Sequence, residues 1–189
     1  MSEAAAPGER RRYESYSHEE LKAEVETGNE PGEAGEIGAG WAELGRQLHD
    51  SIDELVTLSG SSEQLWQGPA GEALRAVLDR AAHWSAETAV ASAAVGDAVA
   101  RQAEAAARAR AQMPEPVGYD PAAMIRDAAS SGSILALAGL SAALTARAAE
   151  AESARQRAVD VLYARDEALA SALPDVSFSA PPPLTSGSP

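Results

Sequence analysis

Apolar residues return along this chain at steps of three and four, the spacing that gathers side chains on one side of an α-helix. The clearest stretch is 36–65. There Ile37, Trp41, Leu44, Leu48, Ile52 and Leu55 form one stripe, and Glu43, Arg46, Asp50 and Asp53 fall between them. The pattern predicts an amphipathic helix running to about Leu65, where Trp66-Gln67-Gly68-Pro69 breaks it. Glycine permits the turn, and proline fits the first position of a new helix. From Pro69 the same spacing runs to Gln112 through Leu74, Val77, Leu78, Ala81, Trp84, Thr88, Ala91, Val95 and Val99. A helix of roughly 40 residues would be about 60 Å long, so the two predicted helices read as an antiparallel, coiled-coil-like pair.

Shorter signals flank that pair. Residues 1–15 are polar and are expected to be disordered. Ser17 and Glu20 form a capping box at the start of a short helix, with Tyr16 and Leu21 placed for a hydrophobic staple. Gly28, Asn29 and Pro31 end it, which suggests a local docking element outside the core. Met113-Pro114-Glu115-Pro116 ends the long helix, and Asp120-Pro121 caps and opens another carrying Met124, Ile125 and Ala128. After the break at 130–133, a last helix over 134–172 carries Leu135, Leu140, Leu144, Ala148, Ala151, Ala158, Val161, Leu162 and Leu169. Beyond Pro174 the Pro/Ser-rich tail cannot build a core and is expected to be extended or disordered. One folded domain over 16–173 is the resulting expectation.

Composition sharpens the fold class. Apolar residues are 45% of the 189, yet aromatics are only 4%, and alanine supplies much of the rest. Alanine favours helix and buries little area, which suits closely packed helices and not a thick β-sandwich. The prediction is all-α, a bundle of long antiparallel helices. A net charge of −14 opposes nucleic-acid binding, since the only clustered cations are Arg10, Arg11 and Arg12. There is no cysteine, so neither disulfides nor thiolate metal sites arise.

The first residues contain no apolar stretch of the kind that opens a secretory signal, and the apolar run 134–144 falls short of the about 20 residues a bilayer requires. No integral membrane segment is expected. The chain reads as made in the cytoplasm, and any export would need a route that recognises a folded surface. His18, His49 and His83 share no metal-ligand spacing, and neighbouring helix positions such as His49 and Asp50 point to different sides. Carboxylates are spread without an acid–base pair, and no phosphate loop or zinc signature occurs. No catalytic residue, metal or cofactor is expected.

One ordered set of landmarks is more specific. Trp66-Gln67-Gly68-Pro69-Ala70 stands between two long amphipathic helices; Trp41 precedes it, Trp84 follows, and the Pro114/Pro116 break comes before the next helix. With the opening at 16–21 and Gly28-Asn29, this set resembles the PPE proteins of the WXG superfamily, substrates of actinobacterial type VII (ESX) secretion, over about 16–173. The Pro-Pro-Glu triplet that names the family is absent, its place taken by the helix start at Ser17, and so is the long Gly/Asn-rich tail of many members.

The resemblance implies a non-enzymatic secretion substrate that pairs with a PE- or WXG-type helical protein and leaves the cell folded. Trp66 and Gly68 would form half of a composite export signal read by the secretion ATPase. Its other half, a Tyr-x-x-x-Asp/Glu motif, usually lies on the partner, and Tyr163 with Glu167 matches it here. The partner interface would use Trp41, Leu44, Leu48, Leu55, Leu74, Val77 and Trp84. An ESX chaperone would bind near 131–140, at Ile134, Leu135 and Leu137. Plainer readings stand beside these: Trp66 covering a hairpin turn, Tyr163 as an ordinary helix-surface residue, and Ile134, Leu135 and Leu137 partly buried in the bundle. The rival functions are a cytoplasmic coiled-coil scaffold that self-associates and a companion of a secreted WXG-type toxin.

Overall fold

The computed structural model describes residues 11–28 and 30–183. The disorder expected of 1–10 and 184–189, and the role of Asn29 in ending a helix, lie outside the described residues. Within them the protein is an all-α bundle with no strand. A 3-10 turn at Tyr13–Ser15 precedes α1 (His18–Glu26), α2 (Pro31–Leu65), α3 (Pro69–Gln112), α4 (Pro121–Ser130) and α5 (Ile134–Ser171). The chain divides into two compact units. One combines Met1–Asn29 with Ala105–Ala168, and the other Glu30–Glu104 with Leu169–Pro189. The long helices α3 and α5 contribute to both.

In the first unit the capping box forms as expected: the Ser17 hydroxyl accepts from the Glu20 amide, and the Glu20 carboxylate accepts from the Ser17 amide at 2.7 Å. The helix it opens is not peripheral. Leu21 and Val25 are buried in one apolar cluster with Tyr13, Ala109, Ala158, Val159 and Leu162. Apolar residues four apart share a helix face, so even a nine-residue helix can give a full stripe to a core. Two polar contacts fix α1 against the Pro-x-Pro turn. His18 Nε2 donates to the Pro114 carbonyl at 3.0 Å, and the Lys22 ammonium donates to both Glu115 carboxylate oxygens. The stretch expected to be disordered up to Ser15 instead supplies Tyr13, which is 2% exposed. One aromatic ring in a polar segment suffices to anchor it, because a buried tyrosine removes a large apolar area from water.

In the second unit α2 begins at Pro31, before the expected start near Glu36. Pro31 opens this helix as its first residue, where a missing N–H costs nothing because that amide has no helical partner. The Trp66-to-Pro69 breaker and the whole of α3 fall where the sequence pattern puts them. Helices α2 and α3 run antiparallel along a seam of small residues. A Cβ on Gly96 would lie 2.9 Å from the Gly38 carbonyl oxygen, and a Cβ on Gly45 would lie 3.1 Å from the Ala89 carbonyl oxygen. Gly38 and Gly45 are seven residues apart, as are Ala89 and Gly96, the repeat of a coiled-coil contact. Ser85, Ser92, Ala91 and Ala98 are buried along α3. The alanine-rich composition is therefore used for close backbone approach more than for area burial.

Candidate interaction surfaces

Trp66 caps the C-terminal end of α2, its amide donating to the Ser62 carbonyl at 2.8 Å. Gly68 takes φ +99°, a conformation that L side chains rarely adopt, and its carbonyl accepts the Glu72 amide to start α3. The turn is clamped from the other side by two contacts to the Trp66 carbonyl. Arg75 Nη1 donates to it at 3.1 Å, and a Cβ placed on Gly71 would lie 2.2 Å from the same oxygen. Gly71 is thus a requirement of the turn that the sequence pattern does not single out; a glycine in the first turn of an otherwise alanine-rich helix is the signal that marks it. The Trp66 side chain is not enclosed. It is 55% exposed, and Leu65 beside it is 86% exposed. An indole held at the tip of a glycine-fixed turn presents a rigid surface with one polar atom, the kind of group that anchors contacts between proteins.

The apolar stripe of α2 is left partly open. Ile37, Trp41, Leu44, Leu48, Leu55, Leu58 and Leu65 follow steps of three and four, with Ser51 and Ser62 filling the two gaps. Ile37, Leu44, Leu58 and Leu65 are exposed, while Trp41, Leu48 and Leu55 are half-buried. On α3, Leu74, Val77 and Trp84 are half-buried within the unit, and Val90 is exposed. Of the predicted interface residues only Leu44 is exposed, and the other six form a half-buried set already engaged. Trp41 and Trp84 belong to the engaged set because the tail reaches them. The Phe178 ring lies 5.9 Å from that of Trp41, and Trp84 Nε1 donates to the Ser179 carbonyl at 2.9 Å. Residues 174–183 form neither helix nor strand, and they are docked on the hairpin of their own unit. Phe178 is the one phenylalanine of the chain, and its alternation with Val176 across Ser177 is the signal for this contact.

Three surfaces of the first unit bear on the remaining candidates. Ile134 and Leu135 are 84% and 87% exposed, which corrects the expectation that they are partly buried, while Leu137 is 50% exposed. Ser133 caps this helix start, its hydroxyl accepting the Ala136 amide, and Gly132 turns the chain at φ +64°. A break made of serine and glycine offers no bulk to cover the apolar residues that follow. Helix α5 also carries an 18-residue stretch that is apolar enough to cross a membrane, none of it buried, whereas the sequence pattern marks only 134–144. The alanines that follow Leu144 extend the stretch beyond that run.

Tyr163 is half-buried and engaged. Its hydroxyl donates to the Glu14 carboxylate at 3.0 Å, and its ring meets that of Tyr13 edge-on at 5.2 Å. Burial first, and then the bond to Glu14, raise the Tyr163 hydroxyl above the ordinary phenol value. The Glu14 carboxyl is lowered, chiefly by its own backbone amide and next by Tyr163. Glu167 is exposed. Beneath Tyr163 lies a polar knot that the sequence pattern does not reveal, in which Arg165 is buried, donates to Asp166 at 2.9 Å and to the Tyr13 hydroxyl at 3.1 Å, and approaches Glu24 at 3.7 Å. A buried guanidinium needs such partners, since an unpaired buried cation is strongly destabilising.

A search against known protein families and curated proteins finds no match for this chain.

Proposed function

We propose that the protein is a non-enzymatic pairing protein of the PPE-like, WXG-bearing kind, exported folded through a type VII secretion route. The observation that carries this reading is the α2 stripe, with Ile37, Leu44, Leu58 and Leu65 exposed at coiled-coil spacing. A monomeric helix gains nothing from an apolar seam facing water; a partner helix with a matching seam buries it at about 25 cal/mol per Å² of apolar area. The partner is a PE- or WXG-type helical protein. The Trp66–Gly68 tip is the element read by the secretion ATPase, supported by the exposed indole and the fixed turn. Ile134, Leu135 and Leu137 form the docking tip for an ESX chaperone, supported by their exposure. In this reading α5 takes its place in a soluble complex and not in a bilayer, and Tyr163 with Glu167 has a minor role, because Tyr163 is held by Glu14.

The rival reading is a self-associating scaffold, and the same stripe favours it, since a second copy would present the same residues. Co-expression with neighbouring genes followed by light scattering separates the two. A 1:1 complex with a helical protein of roughly 100 residues, a size set by the resemblance, is the expected result. A homodimer indifferent to every neighbour would reject heteromeric pairing. Export is tested separately by Trp66→Ala, which is expected to abolish secretion while the variant still folds; undiminished secretion would remove the tip from the mechanism.

A further inference from the structure

The tail and the α2 stripe meet at one residue. Trp41 is the largest side chain in the stripe, and it is the one that Phe178 covers, while Ile37 and Leu44 on either side remain exposed. The next residue of the tail is fastened twice. The Ser179 carbonyl accepts the Trp84 indole N–H, and the Ser179 hydroxyl donates to the Glu87 carboxylate at 3.1 Å. Pro182 then lies along the same α3 surface as Trp84 and His83, on the wall of an open groove of about 460 Å³. An indole N–H bonded to a carbonyl just before a proline run is the chemistry by which aromatic grooves hold extended, proline-rich segments. The prolines also keep the segment from continuing as a helix.

We propose that residues 174–183 are a built-in competitor for the pairing surface. In the free chain Phe178 and Ser179 occupy Trp41 and Trp84, and a partner helix has to displace them to complete its seam along α2. This rests on the pairing role proposed for α2. The occupant is the chain's own tail, and the tether gives it a high effective concentration at the groove. Its hold is nevertheless light: a tilted ring pair, two exposed hydrogen bonds and the half-buried Val176 and Pro182. A helix that covers the whole stripe outcompetes it, whereas an isolated apolar side chain from an unrelated protein does not. The tail thereby screens Trp41 until a partner with the full repeat arrives.

The test uses the full chain and the variants Phe178→Ala and Ser179→Ala, with helicity measured by circular dichroism to verify folding. The first readout is hydrogen exchange of the Trp84 indole, expected to be slow in the natural chain and faster by about tenfold in Phe178→Ala, the order of magnitude carried by a single aromatic pair. The second is the fluorescence of anilinonaphthalene sulfonate, an apolar dye, which is expected to rise several-fold in Phe178→Ala. It should fall again when a synthetic peptide of residues 174–183 is added. Equal indole exchange in both chains would show that no strap exists. Slower exchange in the natural chain with unchanged dye binding would show a strap that covers no pairing surface. Either result overturns the proposal even if a partner is found, whereas failure to find a partner would overturn only the pairing role and leave the indole result standing.

Discussion

The Tyr13 hydroxyl donates a 2.6 Å hydrogen bond to Asp166, and Arg165 donates to both of them, so one tyrosine fastens the N-terminal segment to α5. Tyr13→Phe removes the bond and leaves Asp166 with Arg165 as its partner. The expected loss is about 1.5–3 kcal/mol, the range for a hydrogen bond to a charged group, read from urea denaturation at pH 7. A variant as stable as the natural chain would mean that ring burial alone anchors the segment.

The same contact sets an alkaline limit. Burial first, then the hydrogen bond to Asp166, push the Tyr13 hydroxyl up from 10.0 to about 12. The folded chain holds the proton more tightly than the unfolded one, so this stabilisation is complete below about pH 10 and is lost as pH rises towards 12. A shift of that size corresponds to about 2–3 kcal/mol. Denaturation midpoints compared between pH 8 and 11.5 are expected to fall more steeply for the natural chain than for Tyr13→Phe. Parallel curves would contradict the assignment.

Substitutions at the tip separate what makes the turn from what the turn displays. A Cβ on Gly71 meets the Trp66 carbonyl oxygen at 2.2 Å, so Gly71→Ala must shift backbone and is expected to cost about 1–3 kcal/mol, visible as a lowered melting temperature. Trp66→Ala removes an exposed ring and is expected to change stability by about 0.5 kcal/mol or less. If the two variants melted together well below the natural chain, the indole would be structural after all.

The glycines of α2 are expected to behave in opposite ways although all lie in one helix. Gly60 has nothing within 4 Å of an added Cβ, so Gly60→Ala is expected to stabilise by about 0.5–1 kcal/mol through helix propensity. Gly38 would place its Cβ 3.1 Å from the Gly96 carbonyl oxygen, and Gly38→Val is expected to force the helices apart and destabilise by about 1–3 kcal/mol. Thermal melts of the two variants suffice, and a neutral Gly38→Val would refute the close seam.

At the start of α5, Leu135→Asp is expected to leave thermal stability within about 0.5 kcal/mol of the natural chain, because Leu135 is almost fully exposed. The variant should also aggregate less at high concentration, measured by light scattering. A large drop in stability would place Leu135 in a core.

Much of the fold is legible in local chemistry. The Ser17/Glu20 box, the Trp66-to-Pro69 breaker, the end of α3 at Gln112 and the opening of α5 at Ile134 follow from capping oxygens, proline positions and the 3.6-residue period. What escapes the sequence depends on partners distant along the chain. Nothing near Tyr13 indicates that Arg165 and Asp166 await it, and a segment of polar residues around one ring reads as disordered. Phe178 escapes for the same reason, since its alternation with Val176 marks an apolar side but not the distant Trp41 that it meets. The exposure of Ile134 and Leu135 runs against expectation because an apolar run states that area should be covered, and not whether the same chain covers it.

The α2–α3 seam has one more property. Gly38 and Gly45 recur after seven residues, as do Ala89 and Gly96, so sliding one helix past the other by a heptad, about 10 Å, would bring small residues against small residues again. Large interlocking side chains would forbid such a slip; glycine and alanine do so only weakly. The information that selects one alignment is therefore held at the closed end, where Gly71 and Arg75 grip the Trp66 carbonyl. The turn acts as the index mark on an otherwise repeating scale, and lengthening it by a few residues would leave two nearly equivalent alignments in place of one.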